Sequence, residues 1–230
     1  MTTISNALQA VRDRIARAAV QGGRAPASIA LLAVSKTFGP ELIRAAYADG
    51  QRAFGESYTQ EALPKIAALS ELDLEWHFIG PLQSNKTKPI AQHFAWVHGV
   101  DRAKIAQRLS EQRPPELPPL NICLQVNVSG EASKSGVAPA QLAALAREVA
   151  ALPRLKLRGL MAIPAPTEDA AQQRAAFRSV RELLEQLNAQ GFALDTLSMG
   201  MSGDLEAAIQ EGATIVRVGS AIFGERGIPL

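Results

Sequence analysis

The sequence is short of several features that would place it in a specialised class of protein. It has one cysteine in 230 residues, Cys123, so no disulfide can form within the chain and nothing points to an oxidising compartment. No apolar run approaches the roughly 20 residues that cross a bilayer, and the N-terminal segment has no signal-peptide core. A formal net charge of +2 gives no reason to expect nucleic acid. We therefore expect a cytoplasmic protein that binds neither membrane nor nucleic acid.

Metal-binding patterns are missing as well. The three histidines, His77, His93 and His98, form no H-x-x-x-H pattern, and one cysteine allows no C-x-x-C pair. We therefore expect no metal. His77 and His98 fall in strand-like runs, where hydrogen-bonded interior residues are expected instead of metal ligands. Cys123 lies in the apolar run NICLQVNV, which is typical of a buried core thiol.

What the chain does have is an alternation of strand-like runs and longer helical patterns. Hydrophobic residues make up 47% of it, which excludes a disordered chain. Ile4, Leu8, Val11 and Ile15 form one stripe of an amphipathic helix at the start. Seven further Ala- and Leu-rich helical patterns separate the strand-like runs. These runs are IALLAVSK, RAFGE, EWHFIG, AWVHGV, LNICLQVNV, KLRGLMAI, TLSMGM and TIVRVGSAIFG.

This alternation predicts one (β/α)8 TIM barrel spanning residues 1–230, with an extra N-terminal helix. The mean repeat of about 29 residues is close to that of a βα unit. A doubly wound open sheet is the alternative. That fold usually has fewer strands, and no G-x-G-x-x-G follows the first strand here.

Lys36 ends the apolar run LLAVSK, where an ammonium has no packing use. Strand alternation places Ala30, Leu32, Val34 and Lys36 on one face. If that face points inward, Lys36 is its topmost residue and projects into the mouth of the barrel, where barrel enzymes carry their chemistry. A solvated charge at a strand end is the alternative, which this position alone leaves open.

The loops after the last two strands have the pattern of an anion site. Ser202 and Gly203 in SMGMSGD precede a helical pattern, with Ser202 as its expected N-cap. Gly219 and Ser220 follow the eighth strand, and barrels often bind phosphate at these two loops. An ordinary helix cap explains Ser202 alone, but the two loops together favour phosphate.

Arg217 lies inside the apolar strand TIVRVG, on the same face as Ile215 and Gly219. A buried guanidinium needs a partner, because an unpaired buried charge is costly. The partner is either a carboxylate such as Glu56 or a ligand atom in the mouth. A Schiff-base lysine, a phosphate cradle and a polar partner for a ring nitrogen are what pyridoxal 5′-phosphate (PLP) requires. PLP is therefore the predicted cofactor.

The motifs AVSKT, FGESYTQE, WHFIGPLQSNK, GLMAI, LSMGMSGD and RVGSAIFGER together resemble those of the pyridoxal phosphate homeostasis proteins of the YggS/PROSC type. That family is related in fold to the barrel domain of alanine racemase. The resemblance runs from about Ile4 to Arg226. It implies a monomer or weak dimer that binds PLP reversibly and buffers it or delivers it to apo PLP-dependent enzymes, without substantial turnover.

The resemblance also implies roles for single residues. Lys36 forms the covalent aldimine, the Ser-Gly pairs of the two loops hold the phosphate, and Arg217 faces the pyridine nitrogen. An arginine does not hand over its proton, so the ring nitrogen stays largely unprotonated and is a weak electron sink. The expected cofactor-binding residues are Lys36, Ser57, Met201, Ser202, Gly203, Arg217, Gly219 and Ser220.

Two positions of the resemblance stay less defined. The family usually has Gly-Glu-Asn-Tyr after the second strand, whereas this chain has Gly-Glu-Ser-Tyr with Ser57 at the third position. Ser57 keeps a hydroxyl but loses the longer amide, so whether it contacts the cofactor stays open, and a bridging water is the alternative to a direct contact. The family motif also covers Ser84, Asn85 and Lys86, to which chemistry assigns no role.

Two enzyme classes compete with a carrier. A PLP-dependent amino-acid racemase needs a second base, normally a tyrosine from an added domain, and the only tyrosines here are Tyr47 and Tyr58. Tyr47 falls in a helical pattern, where a packing role is expected. Tyr58 is close enough to the mouth to stay a candidate for the second base. Weak racemase activity is therefore the alternative function. A class I aldolase usually carries its lysine on strand six, where Lys156 stands at the structural beginning and Met161 near the catalytic end, which argues against that class.

Overall fold

The computed structural model describes residues 3–130 and 135–224, and within them eight parallel strands form a closed barrel in sequential order. Each strand pairs with the next, and the last closes on the first, with Leu32 opposite Arg217. The predicted barrel is confirmed and the open sheet is excluded. The strands are β1 (Ala30–Val34), β2 (Ala53–Glu56), β3 (Glu75–Phe78), β4 (Trp96–Val100), β5 (Leu120–Gln125), β6 (Leu155–Met161), β7 (Thr196–Ser198) and β8 (Ile215–Val218).

Helices connect the strands on the outside of the barrel. No helix in the described ranges is long and apolar enough to span a membrane. Two short 3-10 turns, Pro26–Ser28 and Ser84–Lys86, add to the connections. The α-helices are α1 (Ile4–Gln21), α2 (Pro40–Ala48), α3 (Thr59–Ala68), α4 (Thr87–His93), α5 (Ala103–Gln112), α6 (Pro139–Ala150), α7 (Ala170–Ala189), α8 (Leu205–Gln210) and α9 (Ser220–Phe223).

The extra N-terminal helix is present as predicted. The apolar stripe of α1, which includes Leu8 and Val11, is buried. The helix packs against α8 and α9, the two helices that follow the last two strands. Arg14 of α1 donates to Glu206 at 2.8 Å and to the carbonyl of Ser202 at 3.0 Å. The added helix therefore supports the loop between β7 and α8.

The last predicted strand is too long. The run TIVRVGSAIFG was expected to be one strand, but β8 ends at Val218 and α9 takes up the rest. The amides of Ile222 and Phe223 donate to the carbonyl of Gly219, which closes a helical turn. Both side chains are buried, and Phe223 packs on Phe38 with ring centroids 5.3 Å apart. The apolar pattern therefore reflected burial, which a short helix provides as well as a strand.

The barrel interior holds its own small apolar cluster, separate from the larger core between strands and helices. Leu32, Trp96, Cys123, Met161 and Ile215 form it. Cys123 is fully buried, as predicted, and burial raises the pKa of its thiol to about 12. Such a thiol stays protonated and unreactive at neutral pH.

A close approach of two strands at a glycine gives a stability prediction. Gly159 of β6 lies against β7, where an added Cβ would stand 1.8 Å from the carbonyl oxygen of Thr196. We expect Gly159→Ala to lower the free energy of unfolding by about 2 kcal/mol or more, because backbone must move to admit it. Denaturant titration measures the change. Gly22→Ala is the control: its Cβ meets nothing closer than 3.4 Å, and we expect about 0.5 kcal/mol or less. Equal effects would contradict the tight packing of β6 on β7.

Candidate functional site

A cleft of about 600 Å³ opens at the mouth of the barrel, where strands end and the following loops begin. That volume lies within the range of small-molecule sites. All eight predicted cofactor-binding residues line it. They are Lys36, Ser57, Met201, Ser202, Gly203, Arg217, Gly219 and Ser220. Sequence reasoning missed the apolar part of the lining, formed by Val34, Phe38, Ile79 and Ile163, together with Gly224.

Lys36 lies in a tight turn and not in the strand itself. β1 ends at Val34, and the amide of Phe38 donates to the carbonyl of Ser35 at 3.1 Å to close the turn. Thr37 has a φ of 71°, the only positive φ of a non-glycine residue in the described ranges. A β-branched residue in that region is strained, and such strain concentrates at functional sites.

A buried ion pair between Lys65 and Glu56 holds this turn in place. Lys65 of α3 donates to Glu56 at 2.8 Å and to the carbonyl of Ser35 at 2.9 Å. The Ser35 hydroxyl donates to the same Glu56 oxygen at 2.7 Å. Burial raises the pKa of Glu56, although both donors oppose that shift. The turn that carries Lys36 is therefore fastened to β2 and α3.

Glu56 is accordingly not the partner of Arg217, which the sequence left open. Arg217 is 4% exposed and donates from Nη1 to the carbonyl and hydroxyl of Ser198 and from Nη2 to the carbonyl of Ala162 at 3.0 Å. No ion pair to Arg217 occurs among the described residues. Burial lowers the pKa of Arg217 to about 10, so the guanidinium is still cationic at neutral pH.

The opposite end of the cleft is polar and open. The hydroxyls of Ser220 and Ser202 lie 3.4 Å apart. A Cβ added at Gly203 would meet nothing within 4 Å, so its backbone is accessible. At Gly219 an added Cβ would stand 3.1 Å from the carbonyl oxygen of Val34, so this loop packs closely on β1. Hydroxyls and accessible backbone amides are suited to an anion such as phosphate.

The expectation that Ser202 caps the next helix is wrong. α8 begins at Leu205, and its N-cap is Asp204. The Asp204 carboxylate accepts from the amide of Met201 at 2.6 Å, which closes the loop on itself. Asp204 takes the position before the helix, and the Ser202 hydroxyl lies 3.4 Å from that of Ser220 at the same end of the cleft instead.

The two strand histidines are hydrogen-bonded interior residues, as predicted. His77 and His98 lie 2.9 Å apart between Nδ1 and Nε2, and His98 Nδ1 lies 2.7 Å from the hydroxyl of Ser198. Sequence reasoning missed Ser198. Its position could have indicated a role: Ser198 stands two residues before Gly200, in the strand next to the one that carries Arg217. No group of three or more His, Cys, Asp or Glu side chains in the described ranges could hold a metal ion.

Neither tyrosine lines the cleft in the part of the chain that the structure describes. Tyr47 lies in α2 with the guanidinium of Arg52 3.8 Å from its ring centroid. Tyr58 is 47% exposed just beyond Ser57. Lys156, the lysine of strand six, is exposed at the second residue of β6, at the opposite end of the barrel from the cleft. Among the described residues, the cleft lining thus offers one amine, one guanidinium and the hydroxyls of three serines.

Comparisons with known proteins find relatives over nearly the whole chain. The family model for the N-terminal domain of alanine racemase matches residues 7–227. The pyridoxal phosphate homeostasis protein of Pseudomonas aeruginosa is 65% identical, with 98% of this chain and 97% of that protein covered. The protein of the same name from Escherichia coli K12 is 53% identical, with 98% of both covered.

Solved structures extend the comparison. PipY of Synechococcus elongatus, solved with PLP bound, has a TM-score of 0.85 and 39% identity, with 96% of this chain and 100% of that chain covered. The alanine racemase of Corynebacterium glutamicum has a TM-score of 0.69 at 17% identity, and this chain covers 62% of it, so it shares the barrel fold alone. The chain belongs to the family of pyridoxal phosphate homeostasis proteins.

Proposed function

We propose that this chain binds PLP reversibly as a Schiff base on Lys36 and stores or delivers it, without turning over a substrate at a substantial rate. The observation that carries the proposal is the geometry of one cleft. A lysine, a pair of serines with hydroxyls 3.4 Å apart and a buried arginine line this one cleft together with apolar side chains. PLP bound in PipY supports the choice of cofactor.

Lys36 supplies the amine. PLP brings an aldehyde, which condenses with a primary amine with loss of one water. Among the described residues that line the cleft, Lys36 is the only lysine. The turn at Thr37 and the Glu56–Lys65 pair hold its backbone at one place, so the backbone of Lys36 needs little ordering when the cofactor binds.

The serine end holds the phosphate. Ser202 and Ser220 offer hydroxyl donors, and Gly203 and Gly219 offer backbone amides without side chains in the way. Arg14 binds the carbonyl of Ser202 from outside the barrel and so keeps the loop in place. Ser57, which is 9% exposed, and Met201, which is 40% exposed, line the cleft between these polar ends and contact the ring or its substituents, Ser57 directly or through a water.

Arg217 faces the ring nitrogen. Its bonds to Ser198 and Ala162 use three of its five N–H groups, and the guanidinium lines the cleft. An arginine donates a hydrogen bond but keeps its proton, so the ring nitrogen stays unprotonated and draws electrons weakly. The site is therefore suited to hold the cofactor and poorly suited to stabilise carbanions.

A weak amino-acid racemase is the second candidate. Racemisation by this fold needs bases on both faces of the cofactor, and no tyrosine lines the cleft in the described ranges. We therefore favour a carrier, present in the cytoplasm as a monomer or weak dimer, with apo PLP-dependent enzymes as recipients.

Lys36→Ala tests the amine. We expect the absorbance band of the Schiff base, seen when one equivalent of PLP is added to the wild-type chain, to disappear because no other lysine lines the described cleft. Borohydride reduction followed by peptide mass spectrometry should place the adduct on Lys36. Lys156→Ala, an exposed lysine at the other end of the barrel, is the control and should keep the band. A band that survives Lys36→Ala would contradict the assignment.

Ser202→Ala and Ser220→Ala test the phosphate end. Each removes one hydroxyl donor to a charged ligand, so we expect about 10-fold weaker binding of PLP per substitution. Binding of pyridoxal, which has no phosphate, should change by about 2-fold or less. Fluorescence titration with both ligands measures the ratio. An equal loss for the two ligands would show that the serines act elsewhere.

Delivery and racemisation are separated by two assays on the same PLP-loaded chain. We expect it to reactivate an apo PLP-dependent enzyme, and to produce no racemisation of alanine above the rate with free PLP. Lys36-dependent racemisation at rates typical of enzymes, about 1 per second or faster, would contradict the carrier function and support a racemase.

A further inference from the structure

A line of polar side chains crosses the otherwise apolar interior of the barrel. From the Glu75 carboxylate it runs 2.8 Å to His77, 2.9 Å to His98, 2.7 Å to the hydroxyl of Ser198 and 2.8 Å to Nη1 of Arg217. The four residues after Glu75 are each no more than 4% exposed. They come from β3, β4, β7 and β8, so the line spans the barrel from one wall to the other.

The chemistry of the line fixes the direction of every hydrogen bond in it. The hydrogen bond to His77 lowers the pKa of Glu75, and burial lowers the pKa of both His77 and His98, so the carboxylate is ionised and the rings are neutral. His77 then donates from Nε2 to Glu75, which leaves its Nδ1 as an acceptor. His98 must therefore donate from Nε2 to His77, and its own Nδ1 accepts from Ser198.

The last hydrogen bond of the line joins Ser198 to Arg217, which lines the cleft. Because the Ser198 hydroxyl donates its one hydrogen to His98, both of its lone pairs face away from that bond, and one accepts from Arg217. Hydrogen bonds that all run in one direction polarise one another. The Ser198 oxygen is thus held as an acceptor, and it cannot turn its hydrogen toward the guanidinium.

Packing holds the first ring of the line in place. His77 stacks on Trp96 with the ring planes 5° apart and the centroids 5.4 Å apart. The guanidinium carbon of Arg158 in turn lies 4.8 Å from the centroid of the Trp96 ring. Glu75 is half exposed, so the line begins at solvent and ends at the wall of the cleft.

From this geometry we infer that His98 and Ser198 are positioning residues for the cofactor: they hold the Arg217 guanidinium as a donor aimed at the ring nitrogen of PLP. The inference rests on the proposed function for its ligand. The bond to Ser198 fixes one edge of a planar group, and a planar group with one edge fixed has its remaining N–H directions fixed as well.

Two substitutions of His98 separate this role from a merely structural one. In His98→Asn the amide oxygen stands where Nδ1 stood and still accepts from Ser198. In His98→Gln the amide nitrogen stands where Nε2 stood, so the bond to His77 is kept and the bond to Ser198 is lost. Asn is one methylene shorter than Gln and leaves the larger space at this buried position, so a merely structural loss should be at least as large in His98→Asn as in His98→Gln. Ser198→Ala removes the hydroxyl itself.

The readout is the preference for PLP over its 1-deaza analogue, in which carbon replaces the ring nitrogen. We expect the wild-type chain to bind PLP about 10-fold or more tightly than the analogue, because a hydrogen bond to a charged donor is lost in the analogue. The preference should survive in His98→Asn and fall below about 3-fold in His98→Gln and Ser198→Ala. An equal preference in all variants, or an equal loss in the two His98 variants, would overturn the inference.

A second measurement uses the chain without cofactor. Long-range ¹⁵N–¹H spectra of its three histidines should show His77 and His98 as neutral Nε2–H tautomers at neutral pH, with exposed His93 as the internal reference. An Nδ1–H tautomer or a charged ring at either position would overturn the hydrogen-bond order. If the wild-type chain binds no PLP, the proposed function fails while this spectrum still tests the line. If it binds PLP and only the variant pattern is wrong, the inference alone fails.

Discussion

A cationic arginine inside a closed barrel is the constraint on which the rest of the structure depends. Arg217 is 4% exposed where it lines the cleft, and the acceptors of its guanidinium are two carbonyls and a hydroxyl. Leaving such a charge without partners would cost several kcal/mol. The chain meets that need with Ser198 and Ala162, which stand at the ends of β7 and β6. The guanidinium of Arg217 therefore joins β8 to the residues at the ends of β7 and β6.

The two reactive ends of the cleft are supported by different parts of the fold. Lys36 sits on a turn fastened through Ser35 to the buried Glu56–Lys65 pair. The serine end is held by Arg14 of the N-terminal helix. A disturbance at one end therefore need not move the other, because each end is held by its own set of contacts.

The fold and most of the cleft follow from the sequence because they depend on local periodicity. Strand alternation correctly placed Leu32 inside the barrel and Lys36 at its mouth, and the order of strands brought Ser202 and Ser220 to the same end. Features that depend on contacts across the barrel did not follow. The Ser198 bond to His98 joins residues 100 positions apart. Likewise, α9 and the Asp204 cap depend on local backbone geometry that composition alone does not distinguish from a strand end or a serine cap.

The proposed function is that of a site that holds PLP firmly and activates it little. In that proposal Lys36 would give a reversible covalent link, the serines would give affinity for the phosphate, and Arg217 would keep the ring from becoming a strong electron sink. The measurement that tests this claim most directly is the ¹⁵N chemical shift of the ring nitrogen in PLP labelled at that atom and bound to the full chain at neutral pH. The account predicts the shift of an unprotonated, hydrogen-bonded pyridine nitrogen. A pyridinium shift would contradict it.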